Sequence, residues 1–182
     1  DQGLITPALY DQEYFYYSDS GGIINTLSYG LSSAGYDIRL SSKKLQRFIP
    51  NESGIVDVKR FDPSNLEDIP LSEDELGKYF IVPPYSYCLG ISYECFNVPN
   101  NILLSCMGKS TYARSGIEIF TTPIEPGFRG YITLEIINSL GLYNKLYAEE
   151  GVLQLKIEQL SSPCHNDYDM KQGTYQNQPD EI

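Results

Sequence analysis

The sequence predicts a mainly β domain, and three observations carry that prediction. Tyrosine is frequent, 16 of 182 residues, and Gly, Pro, Ser and Asn recur between apolar pieces, the composition of strands joined by turns. From residue 79 onward, short strand-like runs follow one another: 79–82, 87–93, 102–107, 117–120, 131–138, 142–147 and 151–157. Turn residues separate them, among them Pro83-Pro84, Pro99-Asn100-Asn101 and Gly127. Runs of this length and spacing favour a β-sandwich, barrel or jelly roll over alternating strands and helices.

The segments before residue 79 are less regular. Residues 1–28 read as a loosely structured leading segment, with a tyrosine-rich piece at 14–17, an apolar piece at 22–27 and a helix start suggested near Thr6-Pro7. In the run 29–40, small residues lead into a strand with Tyr36, Ile38 and Leu40 on one face and Asp37 and Arg39 on the other. Two readings stay open for that charged face: an exposed ion pair of little energetic weight, or a charged wall at a subunit or active-site boundary. Residues 51–68 are polar and turn-rich, a long surface excursion. The run 71–79 predicts a short helix, with Ser72 as N-cap and Glu75 completing a capping box. Beyond residue 161 the chain turns polar, and the amide-rich stretch 173–178 has no helical period and reads, taken alone, as a mobile terminus. No internal repeat is evident.

Composition narrows the function classes. A length of 182 residues with 41% hydrophobic residues suits one globular domain with a sizeable core. The net charge of −11 argues against a nucleic-acid or membrane-surface binder, which needs a basic face. It leaves room for a phosphate-bearing small molecule, because a few focused cations and backbone N–H groups hold one. No apolar run approaches the roughly 20 residues of a membrane span. The first residue is Asp, and nothing there has the charged, then apolar, layout of a signal peptide. Cys88, Cys95, Cys106 and Cys164 show no C-x-x-C pairing and the chain has one histidine, which argues against zinc and for reduced, mostly buried thiols in a cytosolic protein. That histidine, His165, lies in a polar stretch and receives no role.

The chemistry-bearing residues gather between Gly108 and Asn138. Gly108-Lys109-Ser110-Thr111, with Arg114 close behind, is not a P-loop, because Leu103 stands where the first glycine of that motif belongs. A turn entering a short helix over 110–114 would still offer N–H groups, two hydroxyls and a lysine to an anion, although a capping turn explains the same residues. In the run 131–138, Ile132, Leu134 and Ile136 point one way, and Tyr131, Thr133, Glu135 and Ile137 the other. If both faces are covered, Glu135 is a carboxylate in apolar surroundings with a raised pKa, as suits a general acid/base; if the second face is wet, it is an ordinary solvated glutamate. The loop Thr122-Pro123-Ile124-Glu125-Pro126-Gly127 lies between. A donor cluster, a shaped loop and an isolated acid are the parts needed to hold an anionic substrate and move a proton on it.

Five spaced segments add a resemblance: SYGLSSAGYDIRL at 28–40, GKSTYARSG at 108–116, TPIEPGFRGYITLEIIN at 122–138, YAEEGVLQ at 147–154 and YDMKQGTYQNQ at 168–178. Jointly and in this order they closely resemble the dCTP deaminase family of the dUTPase-like superfamily. The resemblance implies a distorted β-barrel or jelly roll of the dUTPase-like type with a few short helices. It implies one domain over 1–182, with an N-terminal extension at 1–28 and a C-terminal lid at 165–182 folding over a triphosphate. It also implies a homotrimer with active sites at the subunit interfaces, acting on dCTP to give dUTP and ammonia for thymidylate synthesis.

In that resemblance Glu135 matches the catalytic glutamate, taking a proton from a water that attacks C4 of cytosine and passing protons toward N3 and the leaving ammonia. Lys109, Ser110 and Thr111 match the turn that holds phosphates, with Ser110 also near the reacting water, and Arg114 matches the arginine that orients the catalytic group. Thr122, Pro123 and Ile124 fall where base and sugar are lined, Glu125 where an acid reads the 3′-hydroxyl, and Phe128 at an aromatic position beside the pocket. Tyr168, Gln172 and Gln178 match the segment that folds over the triphosphate. Mg²⁺ would arrive on the triphosphate, and no zinc is implied, in keeping with the missing H-x-E…P-C-x-x-C signature. Inhibition by dTTP is known in the family, and a cytoplasmic location follows, host cytoplasm if the protein is of phage or viral origin.

The sequence departs from the family pattern at Thr174, where lysine is common, at Phe128, a frequent tryptophan, and at Ser139-Leu140-Gly141-Leu142, where Thr-Pro-Leu-Pro is common. Three rivals share the motifs: a bifunctional deaminase that also cleaves dUTP to dUMP, a plain dUTP diphosphatase, and a non-enzymatic nucleotide-binding module. Against the diphosphatase stand Glu135, where that enzyme has an apolar residue, and the lack of its glycine-rich C-terminal phosphate motif.

Overall fold

The computed structural model describes residues 3–11, 13–17 and 21–182. In chain order the first strands are β1 (Ile5–Thr6), β2 (Glu13–Tyr17), β3 (Ile23–Ser32), β4 (Gly35–Phe48), β5 (Leu66–Asp68), β6 (Leu71–Asp74) and β7 (Gly77–Val82). They continue as β8 (Tyr87–Ser92), β9 (Cys95–Asn97), β10 (Ile102–Gly108), β11 (Ile117–Phe120), β12 (Arg129–Gly130), β13 (Thr133–Asn138), β14 (Asn144–Tyr147) and β15 (Gly151–Gln159). Helix is confined to α1 (Ser110–Arg114) and a 3₁₀ turn over Pro63–Asn65. The fold is mainly β, as predicted.

A nine-stranded antiparallel sheet runs β10-β15-β4-β8-β13-β11, with β2 and β3 attached beside β4 and β5 along its far half. β4 holds the sheet together. Its first half pairs with β15 through Gly35–Arg39, its second with β8 from Leu45 to Arg47, and the register breaks between Leu40 and Leu45. A bulge of this kind bends a strand, so that one long strand serves two walls. Past β11 the chain returns to the opposite edge, where Leu104 of β10 donates to the Ile124 carbonyl at 3.1 Å and Ile124 donates back at 2.9 Å. The sheet is thereby nearly closed, as a distorted barrel.

Alternation along the strands fills that barrel. In β13, Leu134 and Ile136 are fully buried and meet Ile38, Leu40, Leu45, Leu104, Leu153 and Leu155, whereas Thr133, Glu135 and Ile137 lie on the half-open outer side. Two smaller sheets flank the barrel, β1-β9-β12 and β14-β7-β6.

The structure corrects four expectations. Residues 71–79 form the β6–β7 hairpin instead of a helix, because Asp74 Oδ1 accepts the Leu76 N–H to close a turn and Gly77 takes a positive φ of 118°. Asp37 and Arg39 are not an exposed pair: β3, β15 and β8 cover β4, both side chains are buried, and each pairs with a distant partner. Of the leading segment, residues 1, 2, 12 and 18–20 lie outside the described residues, while 5–6, 13–17 and 23–28 are strand, and Thr6-Pro7 ends β1 without starting a helix. The stretch 173–178, read alone as a mobile terminus, is turn structure hydrogen-bonded to the barrel through Asn177 and Gln178. The excursion 51–68 is largely exposed, apart from the buried Asn65.

Candidate active site

Glu135 sits at the centre of β13, flanked across the ladder by Phe120 of β11 and Leu89 of β8. Apolar neighbours on both sides remove part of its hydration. Burial pushes the Glu135 carboxyl above its ordinary value, and no hydrogen bond to it forms among the described residues. Its charge reaches nearby groups: burial raises the Tyr87 hydroxyl and lifts the Cys106 thiol to about 12, and in each case Glu135 adds to the rise. The outcome lies between the two cases that the sequence left open: the face bearing Glu135 is half-covered.

The hydroxyl turn follows β10, which packs near β11, the strand paired with β13. Gly108 ends β10 so close to β11 that a Cβ there would stand 3.0 Å from the Ile119 carbonyl, and Phe120, the next residue, faces Glu135. The Lys109 carbonyl then accepts the N–H groups of Tyr112 and Ala113, each at 3.1 Å, and starts α1. Tyr112 is buried as the helix anchor, which leaves Ser110, Thr111 and Arg114 exposed on its outer side. Lys109 turns the opposite way, toward β3 and β4, and donates to Asp37 Oδ2 at 2.8 Å and Ser28 Oγ at 2.9 Å.

The loop after β11 carries two kinds of residue. Thr122 and Pro123 are exposed, while Ile124 is buried by its bridge to Leu104. Glu125 is half-buried, with Lys171 at 3.5 Å. Phe128 is buried and meets the Tyr168 ring edge-on, centroids 5.6 Å apart. Among the described residues no group of three or more His, Cys, Asp or Glu side chains is placed to hold a metal ion, and no helix is long and apolar enough to cross a membrane.

Comparison with known proteins places the chain in a family. A family model described as dCTP deaminase-like matches residues 11–160. The chain belongs to the dCTP deaminase-like family. The dCTP deaminase of Helicobacter pylori strain P12 is 44% identical over 154 residues, 85% of this chain and 79% of that protein. The dCTP deaminase of Campylobacter fetus subsp. fetus is 45% identical over 153 residues, 84% of this chain and 78% of that protein. Among solved structures, the 2′-deoxycytidine 5′-triphosphate deaminase from Agrobacterium tumefaciens superposes with a TM-score of 0.58 at 15% identity, over 70% of this chain. The chain spans 42% of the length of that structure, and the likeness shows the shared fold.

The family match ends before the C-terminal stretch, so the placement of that stretch comes from the structure alone. Tyr168 donates its N–H to the Pro126 carbonyl at 2.8 Å and accepts the Tyr175 N–H at its hydroxyl at 3.0 Å. Gln178 bridges Gly130, where a Cβ would stand 2.6 Å from the Gln178 backbone and φ is +123°, so only glycine admits the crossing chain. The Gln178 side-chain amide donates to Thr133 Oγ1 at 2.6 Å, which brings the tail onto the same face of β13 as Glu135. Gln172 stays exposed at a positive φ of 52°.

Gln176 escaped the sequence reading. It accepts the Arg129 N–H at 2.9 Å and donates to the Gly127 carbonyl at 2.9 Å and to Asp169 Oδ1 at 2.8 Å, fastening the tail to the glycine loop. Its place among the amides of 173–178 was the only signal available. A cleft of about 260 Å³ lies on the other flank of the tail, lined by Asn97, Asn100, Arg129, Asp167 and Asp169, away from Glu135.

Proposed function

We propose that this protein is a dCTP deaminase, converting dCTP and water to dUTP and ammonia. The observation that carries the reading is Glu135: a carboxylate half-buried among Phe120, Leu89 and Tyr87, raised in pKa by burial and without a protein hydrogen-bond partner among the described residues. Burial makes such a carboxylate hold a proton more readily than a solvated one, and its oxygens are open to a substrate, properties that suit a proton shuttle. The names of the curated relatives supply the substrate class.

Glu135 takes a proton from water as its oxygen bonds to C4 of cytosine, and N3 receives that proton. The new hydroxyl on the tetrahedral C4 then gives up its proton through Glu135 to the exocyclic nitrogen. The C4–N bond breaks, ammonia leaves, and the C4 carbonyl of uracil forms. Ser110 is assigned to orient the attacking water and Arg114 to orient the Glu135 carboxylate, both exposed on the side of α1 that faces away from its anchor Tyr112. Ser110, Thr111, Tyr168, Gln172 and Gln178 are assigned to the triphosphate, whose charge Mg²⁺ offsets. Thr122, Pro123 and Ile124 are assigned to base and sugar, Glu125 to the 3′-hydroxyl, and Phe128 to the wall that Tyr168 packs against. No zinc is required, because the carboxylate activates the water.

The outer face bearing Glu135 is half-open and apolar, with Phe120 and Tyr87 partly exposed. A second copy of the chain covering that face would complete the pocket, in keeping with sites between subunits, and the trimer is assigned from the family resemblance.

Product analysis after incubation with dCTP and Mg²⁺, with dUTP in parallel, tests the reading. Accumulating dUTP, with added dUTP left intact, is the expected result. Release of dUMP and pyrophosphate from both would make the enzyme bifunctional. Cleavage of dUTP without action on dCTP would overturn the role given to Glu135.

A further inference from the structure

Lys109 stands in the middle of the hydroxyl turn, yet its ammonium faces inward. An ammonium carries three protons, and here each has a protein acceptor: the Ser28 carbonyl, Ser28 Oγ at 2.9 Å and Asp37 Oδ2 at 2.8 Å. The Lys109 side chain is 13% exposed and that of Asp37 4%, so solvent weakens the pair little. The acceptors lie on β3 and β4, while the Lys109 carbonyl begins α1 by accepting from Tyr112 and Ala113. Backbone and side chain of one residue thus join the helix bearing Ser110, Thr111 and Arg114 to two strands of the barrel.

A second observation shows that room is reserved for this contact. Gly151 opens β15 directly against it: a Cβ at that position would stand 1.9 Å from the Ser28 carbonyl oxygen and 3.1 Å from Lys109 Nζ. Any side chain at 151 would displace the carbonyl that Lys109 needs. The segments containing Ser28, Asp37 and Gly151 hold no residue that the proposed reaction uses, and this cluster gives them a task.

We propose that Lys109 is a positioning residue: locked by Ser28 and Asp37 over Gly151, it sets the attitude of α1 toward Glu135 and does not bind phosphate. The inference rests on the deaminase reading for its kinetic consequence, while its structural half stands apart from it.

The two roles predict opposite signs for Asp37→Asn. If Lys109 bound phosphate, removing the Asp37 charge would free a cation, and KM for dCTP would fall or stay unchanged with kcat intact. For a positioning lysine, Asp37→Asn and Lys109→Met each lower kcat by roughly tenfold or more, while KM for dCTP moves less than about threefold. The double variant is then no worse than the poorer single one, because the second change removes a contact already lost. Lys109→Arg, which keeps charge and donors, recovers part of kcat. The same four variants are melted without nucleotide, and the two single falls in melting temperature are expected to overlap in the double variant. Additive falls, or a Lys109→Met effect confined to KM and larger for dCTP than for dCMP, would overturn the inference. A wild-type protein inert toward dCTP would overturn the deaminase reading instead, and the melting cycle would still decide whether Ser28, Asp37 and Lys109 act as one unit.

Discussion

Glu94 and Glu135 are both glutamates in the β8–β13 part of the structure, and burial raises the pKa of both, yet they are opposites. Glu94 is fully buried and answered on each oxygen: Oε2 accepts the Arg39 N–H at 2.9 Å and Oε1 accepts Arg39 Nε at 2.8 Å. The Arg39 guanidinium is in turn stacked over Tyr93 at 4.0 Å and Tyr29 at 5.0 Å. Glu135 is half-exposed, raised by burial alone and without a protein hydrogen bond among the described residues. A carboxylate with both oxygens engaged by protein donors holds structure together, and one whose oxygens are open can exchange a proton. The difference lies in the partners, not in the residue type or the direction of the shift.

Replacing either glutamate tests that contrast. Glu135→Gln is expected to lower deamination by roughly 10²–10⁴-fold, the usual weight of a general acid/base. It is expected not to destabilise the fold, since no protein contact is lost and the cost of a half-buried charge is removed. An unfolding curve and a dCTP assay on one preparation check both halves, and retained turnover would remove Glu135 from the mechanism. Glu94→Gln should reverse the pattern, leaving Arg39 buried without its counter-charge. A loss of about 3–5 kcal/mol is expected, a fall in melting temperature of roughly 6–20 °C. A melting temperature close to that of the wild type would show that the pair contributes nothing net.

The pH dependence sharpens the comparison further. A carboxyl raised on folding binds more protons folded than unfolded between its two pKa values, so its stabilising contribution is present below the ordinary glutamate value of 4.5 and is lost as pH rises through the folded value. Glu135→Gln should therefore flatten the decline in wild-type stability from about 4.5 upward. In kinetics, the acid limb of kcat/KM should lie above the ordinary glutamate value and vanish with Glu135. An acid limb at or below 4.5 would contradict the desolvated setting of this residue.

The smallest effect belongs to a third acid. Glu125 meets Lys171 at 3.5 Å with both side chains about half exposed. Lys171→Met should cost less than about 1 kcal/mol and nothing measurable in 1 M salt, because water and ions screen exposed pairs. A larger, salt-resistant loss would show that the tail depends on this ion pair and not on the amides of Gln176 and Gln178.

Much of the molecule is legible in its sequence because the pattern is local. The alternation in Thr133–Asn138 separates Leu134 and Ile136 from Glu135 by period alone, and the barrel places them on those faces. The run 71–79 misleads for a local reason as well: Ser72 and Glu75 carry a capping-box spacing, but Asp74 and Gly77 supply a hairpin turn, and the flanking residues pair across it. The Arg39–Glu94 clamp is not legible at all. Its partners are 55 residues apart, and nothing near Arg39 distinguishes a buried guanidinium from an exposed one.

By itself the sequence determined the class of fold, the order of the family motifs and the face on which the candidate acid would lie, since all of these follow from short-range pattern and residue type. Only the tertiary structure decided how far Glu135 is desolvated, that Arg39 answers Glu94, and that Lys109 turns toward Asp37, 72 residues away, instead of outward with Ser110. The physical reason is common to the three. A strand period of two says which way a side chain points, but dielectric and counter-charge are set by what covers that face, and barrel closure brings the cover from distant parts of the chain.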